Sequence, residues 1–483
     1  MEFDMIIIGA GVVGCAVARE LSRYEGRICV IEKGSDVAEG ASKANSGIIH
    51  AGFDARPGTL KAKLNVEGAK QYPQLCRELQ VAYAQPGALV IGFSQEDRAV
   101  LEKLMQQGVQ NGVEELRLLE REEILSIEPN INPQVICALY APTSGLVSPY
   151  EVTFALADAA AVCGVQFRFN ETVETVEKMP EGVWRVRTQN DQYTGKILIN
   201  CAGIGAAHIH NMITGEKLTM IPRRGQYYLL DRMDSLPFQR TMFQCPSKMG
   251  KGVLVSPTVH GNLLLGPSAE DIETESDKAT TAEGLAFVLQ KSKLTWPNAT
   301  CRENITNFSG VRAHLETDDF IVGATAENAY ETLGIESPGL SAAPAIARML
   351  REQIVKDQNL IEKKTLPQLP LRKKPFSEMT DEERRAAVAE DSLYGNIVCR
   401  CETVTEAEIR AAIRRPVGAK TVDGVKRRVR SGMGRCQGGF CGPKVAEILA
   451  EELSIPITQV TKSGGNSLLL TGDIGEGLME EQI

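Results

Sequence analysis

The first 32 residues limit the fold of this chain more than any other stretch. An apolar run, Met5 to Ile8, leads directly into Gly9-Ala10-Gly11-Val12-Val13-Gly14, and a helical pattern from Cys15 to Arg23 follows. A continuous apolar run of this kind is typical of a strand buried on both faces of a parallel sheet. A second such strand, Ile28 to Ile31, ends at Glu32. The chain therefore opens with a strand, a glycine turn, a helix and a second strand, which predicts a Rossmann-like α/β domain.

Each glycine of the turn has a separate task. Gly9 allows the tight turn, Gly11 lets a pyrophosphate approach the backbone, and Gly14 lets the helix pack closely on the strand. The helix N-terminus offers free N–H groups and a partial positive charge to the phosphates. Glu32 follows Gly14 by eighteen residues and is placed to accept hydrogen bonds from ribose hydroxyls. The segment predicts a dinucleotide site, and the motif alone does not separate NAD from FAD.

Composition and charge argue against a nucleic-acid-binding protein and against a membrane-spanning protein. At 483 residues, a prior of about 150 residues per domain suggests two to four domains. The formal net charge of −9 repels nucleic acid and anionic membrane surfaces, so we expect no nucleic-acid partner. No targeting segment is visible at the N-terminus, and no apolar stretch approaches the roughly 20 residues that a bilayer span needs. We therefore expect a cytoplasmic protein without a transmembrane segment.

Changes in composition along the sequence predict that the chain is divided into four parts. Residues 1–362 alternate strand and helix patterns without a break and form the main body. Residues 363–395 contain prolines and the run Arg372-Lys373-Lys374, which indicates a linker with a helix-prone stretch at 380–391. A compact cysteine module occupies residues 396–453, and residues 454–483 form a peripheral tail.

The stretch from Gly40 to Gly52 carries a family resemblance. It reads Gly-Ala-Ser-Lys-Ala-Asn-Ser-Gly-Ile-Ile-His-Ala-Gly and resembles the flavin-contacting loop of the D-amino-acid oxidase superfamily. Within it, the stretch is similar to FAD-dependent glycerol-3-phosphate dehydrogenases and oxidases and to L-2-hydroxyglutarate oxidases. Matching stretches continue in order as far as Ser341. The resemblance implies an FAD-binding domain interleaved with an antiparallel-sheet substrate domain.

The resemblance also implies which residues contact the flavin cofactor. They lie in the glycine turn, at the end of the second strand, in the flavin loop and in three later loops. The expected FAD contacts are Gly9, Gly11, Val13, Gly14, Glu32, Lys33, Ala41, Ser42, Asn45, Ser46, Gly47, Val173, Gly203, Gly339 and Leu340.

Oxidation of an alcohol or amine needs a base for the proton and a clamp for the charged end of the substrate. His50 ends the flavin loop, and imidazole suits proton abstraction near neutral pH. Arg312 follows an apparent turn, and Lys251 lies between two glycines, so both are candidates for the clamp. The alternatives are a histidine that only holds the loop and basic residues at the surface. The resemblance assigns substrate contacts to Ser46, Lys251, Arg312 and Ser341 and the base to His50.

Four of the twelve cysteines crowd together near the C-terminus. Cys399-Arg400-Cys401 is followed, after 34 residues, by Cys436 and Cys441. Four thiolates fit structural zinc or an iron–sulfur cluster, but Cys-x-Cys is unusually close for one tetrahedral ion. The pattern is similar to the bacterioferritin-associated-ferredoxin-like [2Fe-2S] domain, which also follows the flavin domain of anaerobic glycerol-3-phosphate dehydrogenases. We expect these four residues to bind a [2Fe-2S] cluster rather than zinc and not to remain free thiols.

Basic residues are frequent in this module, and they predict either a docking face for a redox partner or a solvated helix face. The residues concerned are Arg414, Arg415, Lys420, Lys426, Arg427, Arg428 and Arg430.

Together these features predict an FAD-dependent dehydrogenase for a small anionic 2-hydroxy substrate. The resemblance favours sn-glycerol 3-phosphate, with electrons passing through the cluster to an acceptor or a partner redox subunit that could link the protein peripherally to a membrane. The alternatives are an L-2-hydroxyglutarate or amino-acid dehydrogenase and a non-catalytic electron-transfer subunit. The sequence leaves the exact substrate, the electron acceptor, the reactivity with oxygen and the oligomeric state open.

Overall fold

The structure is a computed structural model that describes residues 1–233, 235–246, 252–369 and 372–472. The β strands in these ranges are β1 (Glu2–Ile8), β2 (Ile28–Ile31), β3 (Ile48–Ile49), β4 (Tyr83–Ala84), β5 (Ala88–Gly92), β6 (Arg117–Glu120), β7 (Cys137–Ala141), β8 (Gly145–Val147), β9 (Gln166–Arg168), β10 (Val173–Lys178), β11 (Trp184–Thr188), β12 (Gln192–Asn200), β13 (Ile221–Leu230), β14 (Thr241–Gln244), β15 (Leu254–Pro257), β16 (Leu263–Gly266), β17 (Glu270–Asp271), β18 (Asn304–His314), β19 (Ile321–Ala326), β20 (Ala329–Leu333), β21 (Ile397–Cys399) and β22 (Val404–Thr405). The α helices are α1 (Val12–Leu21), α2 (Leu60–Leu79), α3 (Gln95–Gln110), α4 (Arg121–Ile127), α5 (Pro149–Val162), α6 (Ala206–Thr214), α7 (Ala282–Thr295), α8 (Gly339–Gln358), α9 (Asp381–Glu390), α10 (Glu406–Ile413), α11 (Val422–Val429) and α12 (Gly442–Leu453).

Two large sheets make up the main body. The first has a parallel centre in the order β9-β2-β1-β12-β20, with β10 and β11 added antiparallel beside β12 and β19 beside β20. The second runs β17-β13-β16-β15-β14-β5-β7-β6, with β18 also paired to β13, and it is antiparallel except between β14 and β5. Because the strands of the second sheet come from two insertions between strands of the first, the predicted interleaving of the two domains is confirmed.

The predicted opening unit is present and is held by close backbone contacts. Gly9 has a φ of +101°, which a residue with a side chain rarely adopts. A Cβ atom at Gly14 would lie only 1.9 Å from the carbonyl oxygen of Gly9, and one at Gly9 would lie 2.4 Å from the carbonyl oxygen of Cys201. Only glycine therefore lets α1 begin directly against the ends of β1 and β12.

Four helices cover one face of the parallel sheet. Helices α1, α2, α5 and α8 share an apolar core with β1 and β2 that includes Ile7, Val30 and Ala342, each fully buried. The crossing of α2 and α8 is especially close, because a Cβ atom at Gly68 would lie 2.1 Å from the carbonyl oxygen of Ser341. No helix in the described ranges combines the length and the apolar character needed to cross a membrane.

The cysteine module is a small helical unit with its own apolar core. Helices α10, α11 and α12 pack around buried side chains that include Ile409, Val425 and Ile448. A capping box begins α10, because Thr405 Oγ1 accepts a hydrogen bond from Glu408 N and the Glu408 carboxylate accepts one from Thr405 N.

The described residues of the segment between the main body and the module contact both parts. The Lys363 ammonium group donates hydrogen bonds to the carbonyl oxygens of Ser22 and Cys163, both at 3.0 Å. Phe376 and Tyr394 pack with Ala407 of the module. The helix predicted within this segment is α9.

We predict that Gly68→Ala destabilises the protein although alanine favours helices. The added methyl group overlaps the Ser341 carbonyl oxygen, and overpacking of this kind costs about 1–3 kcal/mol. The midpoint of urea-induced unfolding should fall, whereas Gly395→Ala, which meets only Val388 at 3.6 Å, should leave it unchanged. Equal midpoints for the two variants would contradict the close crossing of α2 and α8.

Candidate functional site

A cavity of about 1560 Å³ lies at the carboxyl ends of β1 and β2 and extends to the second sheet. It exceeds the usual volume of a small-ligand pocket of about 300–1000 Å³, as a dinucleotide together with a substrate requires. Most of the predicted FAD and substrate residues line it: Gly9, Gly11, Val13, Glu32, Lys33, Ala41, Ser42, Asn45, Ser46, His50, Val173, Gly203, Arg312, Gly339 and Leu340.

Three predicted residues lie outside this lining, and one lies outside the described residues. Gly14 packs beneath the glycine turn, and Gly47 packs against Val147, whose carbonyl oxygen would lie 2.4 Å from a Cβ atom there. Ser341 is fully buried, and its hydroxyl oxygen accepts a hydrogen bond from His50 N. Lys251 belongs to the undescribed stretch 247–251.

The phosphate end of the cavity is formed by the N-terminus of α1 and the flavin loop. Val12 N donates a 2.8 Å hydrogen bond to Ser42 Oγ, so the loop is fixed against the helix terminus. Glu32 accepts hydrogen bonds from Ala10 N and Gly34 N, both at 2.8 Å, and burial raises the pKa of its carboxyl group. The turn, the helix terminus and the carboxylate thus form the donor and acceptor set that a pyrophosphate and a ribose need.

His50, the predicted base, and Arg312, one residue of the predicted anion clamp, both line this cavity, and the part that they line is called the chamber below. The ring of His50 lies 5.7 Å from that of Phe243, between centroids, and the His50 backbone N–H donates a hydrogen bond to Ser341. Arg312 lies within β18, two residues before its end, rather than after a turn, and it is opposite Arg223 in the register with β13. A Cβ atom at Gly225 would lie 2.7 Å from Arg312 Nη2, so this glycine makes room for the guanidinium group.

Phe243 and Arg223 line the chamber, although neither was identified from the sequence as part of the site. Tyr227 also lines the cavity and stacks on Phe308 at 4.7 Å between centroids. Arg223 and Tyr227 lie on the same face of β13, because side chains alternate along a strand, and this period of two was the available signal. His260 instead lies 2.8 Å from the Glu151 carboxylate and is not part of the lining.

The four module cysteines come together as two pairs. The sulfur atoms of Cys401 and Cys436 are 3.7 Å apart. The hydrogen bond from the Cys441 thiol, with the backbone N–H groups of Gly432 and Glu402, lowers the pKa of Cys399 to about 6. Thiolate formation is thus favoured at Cys399, one of the four residues that would ligate a metal.

This arrangement fits a binuclear cluster better than one zinc ion. Tetrahedral zinc, with Zn–S bonds of about 2.3 Å, would hold all four sulfurs about 3.8 Å apart. Among the described residues, no three of the four cysteine sulfurs lie within 4.8 Å of one another, as a single zinc ion would require. The group that meets this distance is His314, Asp318 and Glu336. That acidic group already binds the ammonium group of Lys61, which lies 2.7 Å from Asp318 and 3.1 Å from Glu336.

The two roles expected for the basic residues of the module, a docking face or a solvated helix face, are both wrong for four of the seven. Arg427 and Arg428 are buried against the flavin domain, and Arg415 pairs with Asp158 of α5. Arg430 binds Glu402 inside the module and donates to Asn262 Oδ1 of the main body at 3.2 Å. These four contacts with the main body keep the charges away from solvent. Among the seven, Arg414 and Lys420 are exposed.

Comparisons with known proteins agree with this geometry. Residues 4–353 match the family described as FAD dependent oxidoreductase. The chain belongs to this family. Residues 397–451 match the BFD-like [2Fe-2S] binding domain, so this family member carries an iron–sulfur module.

Two curated relatives and one solved structure are especially similar to the chain. It is 48% identical to a glycerol 3-phosphate dehydrogenase of Caloramator mitchellensis over 97% of this chain and 98% of that protein. A glycerol 3-phosphate oxidase of Mycoplasma pneumoniae is 32% identical over 75% of this chain and 98% of its own length. The dithionite-reduced L-alpha-glycerophosphate oxidase from Mycoplasma pneumoniae, with FAD bound, has a TM-score of 0.73 at 32% identity and covers 77% of this chain and 100% of its own.

We predict that Cys436→Ser abolishes cluster binding. One ligand of the four is then lost, and iron content and the electron paramagnetic resonance signal of the reduced protein should both disappear. Cys301→Ser, an exposed cysteine outside the module, should retain both. Zinc in place of iron in the native protein, or full iron content in Cys436→Ser, would contradict the assignment.

Proposed function

We propose that this chain oxidises sn-glycerol 3-phosphate to dihydroxyacetone phosphate and exports the electrons through its [2Fe-2S] module. The observation that carries the proposal is the chamber in which His50 and Arg312 line the cavity of the flavin domain. The relative named as a glycerol 3-phosphate dehydrogenase supports this substrate, because its similarity spans both the flavin domain and the module.

His50 is proposed to take the proton of the substrate hydroxyl. Its backbone is fixed by Ser341 and its ring lies beside Phe243, so the imidazole is positioned at the wall of the chamber. FAD bound in the cavity supplies the hydride acceptor. A base held in this way contributes about 10²- to 10⁴-fold to a reaction of this type.

Arg312 is proposed to bind the phosphate group. A guanidinium group offers two parallel hydrogen bonds to phosphate oxygens, and its position in β18 fixes the direction of the fork. In a chain of net charge −9, such a local positive group is needed to hold a dianion. Lys251 and Ser46 are proposed to assist, as the resemblance implies.

Electrons are proposed to leave at the exposed edge of the module. Cys401 is exposed there, and the side chain of Phe440, directly before Cys441, is 88% exposed. An external one-electron acceptor or a partner redox subunit would approach this edge, and such a partner would be the route to any membrane association. The oxidase relative leaves about a quarter of this chain unmatched, which supports electron export rather than direct transfer to oxygen.

Anaerobic mixing with candidate substrates tests the proposal. Glycerol 3-phosphate should bleach the flavin absorbance, because the chamber has both a base and an anion clamp, while L-2-hydroxyglutarate and glycine should act orders of magnitude more slowly. Inorganic phosphate should compete without bleaching. Rapid bleaching by L-2-hydroxyglutarate, with none by glycerol 3-phosphate, would overturn the substrate assignment.

A second prediction concerns the base. His50→Gln should slow flavin reduction by glycerol 3-phosphate at least about 100-fold, with FAD content unchanged, in anaerobic stopped-flow measurements. His260→Gln is the matched control, because His260 pairs with Glu151 outside the cavity lining, and it should behave as the native protein. A native rate for His50→Gln would show that His50 is not the base, whereas absence of any reduction by substrate in the native protein would favour a non-catalytic electron-transfer subunit.

A further inference from the structure

Helix α11 of the iron–sulfur module is packed directly against the segment that joins β2 to the flavin loop. The guanidinium group of Arg428 binds both carboxylate oxygens of Asp36, at 2.5 and 2.7 Å, and donates to the carbonyl oxygen of Val417 at 2.8 Å. Its side chain is 0% exposed and lies over the ring of Phe154 at 4.1 Å. A Cβ atom at Gly424 would lie 3.1 Å from Asp36 Oδ2, so α11 approaches as closely as a glycine allows.

The neighbouring residue Arg427 contacts Glu39, the residue directly before the flavin loop. Its Nη2 atom lies 2.5 Å from Glu39 Oε1, and both side chains are largely buried. The other carboxylate oxygen of Glu39 binds the ammonium group of Lys43, which belongs to the flavin loop. Glu39 and Lys43 both line the cofactor cavity. The chain of contacts thus runs from the module, through Glu39, to the wall of the FAD site.

Glu39 also packs beside the predicted ribose ligand. A Cβ atom at Gly34 would lie 2.7 Å from Glu39 Cγ and 3.2 Å from Glu32 Oε1, so the two acidic side chains flank the same glycine. Residues 33–41 connect Glu32 to Ser42, which binds the N-terminus of α1. The position of Glu39 therefore affects Glu32, at the predicted ribose end of the dinucleotide site, and Ser42, at its phosphate end.

We propose that Arg427 is a positioning residue for FAD, acting through Glu39 to hold the flavin loop closed. The iron–sulfur module is then part of the FAD-binding site as well as an electron carrier. Because coupling between two sites is reciprocal, bound FAD must also strengthen the attachment of the module. This inference depends only on FAD binding and not on the identity of the substrate.

The test is a double-mutant cycle on the full-length protein. Arg427→Gln, Glu39→Gln and the double variant are prepared as FAD-free protein with iron content verified, and FAD is titrated while flavin fluorescence is followed. Each single variant should raise the FAD dissociation constant about tenfold, within the range usual for coupled sites. The double variant should show about the same tenfold change, because both substitutions remove the same contact between Arg427 and Glu39. Arg414→Gln, whose partner Glu452 lies within the module, should bind FAD as the native protein does.

Trypsin provides the reciprocal measurement. Saturating FAD should slow cleavage after Lys373 in the native protein and in Arg414→Gln, and it should have no such effect in Arg427→Gln. Native FAD affinity in Arg427→Gln would overturn the proposal. So would an equal loss of affinity in Arg414→Gln, or additive losses in the double variant, because each would point to general destabilisation.

Discussion

The close packing of α1 against the carboxyl ends of β1 and β12 is the constraint on which the rest of the structure depends. It requires glycine at positions 9 and 14, since a Cβ atom at either would overlap a backbone oxygen. It leaves the N-terminus of α1 open toward the cavity, where Ser42 fixes the flavin loop. That loop in turn delivers His50 to the chamber that Arg312 enters from the second sheet. The tight first turn thus determines where the helix terminus and the flavin loop meet at the cavity.

Much of this organisation is carried by local sequence signals. The strand Ile28–Ile31 and helix α9 lie within two residues of their predicted positions, because apolar runs and helix propensity are local features. The cavity collects most of the predicted FAD contacts, because the flavin loop follows directly from the dinucleotide motif. Where the contacts that determine an element lie close together in the sequence, the sequence alone is sufficient to predict that element.

Other features depend on neighbours far along the chain. Gly310 resembled a turn signal, but it lies within β18, and glycine is needed there because the Ala44 carbonyl oxygen would lie 2.0 Å from a Cβ atom. Arg427 and Arg428 resembled a solvated helix face, yet their acidic partners, Asp36 and Glu39, precede them by nearly 400 residues. No local pattern records such a pairing, because charge runs on helices are usually exposed. The error in the predicted docking face has this origin.

The interleaving of the two sheets has a consequence for biosynthesis. The flavin sheet is completed only by β19 and β20, after both insertions that build the second sheet have been made. The flavin sheet therefore cannot be completed on the ribosome before every strand of the second sheet has been made, although domains generally fold as units during translation. Helix α11 emerges later still, so the strands and loops that line the cofactor cavity are synthesised before the helix that packs against them.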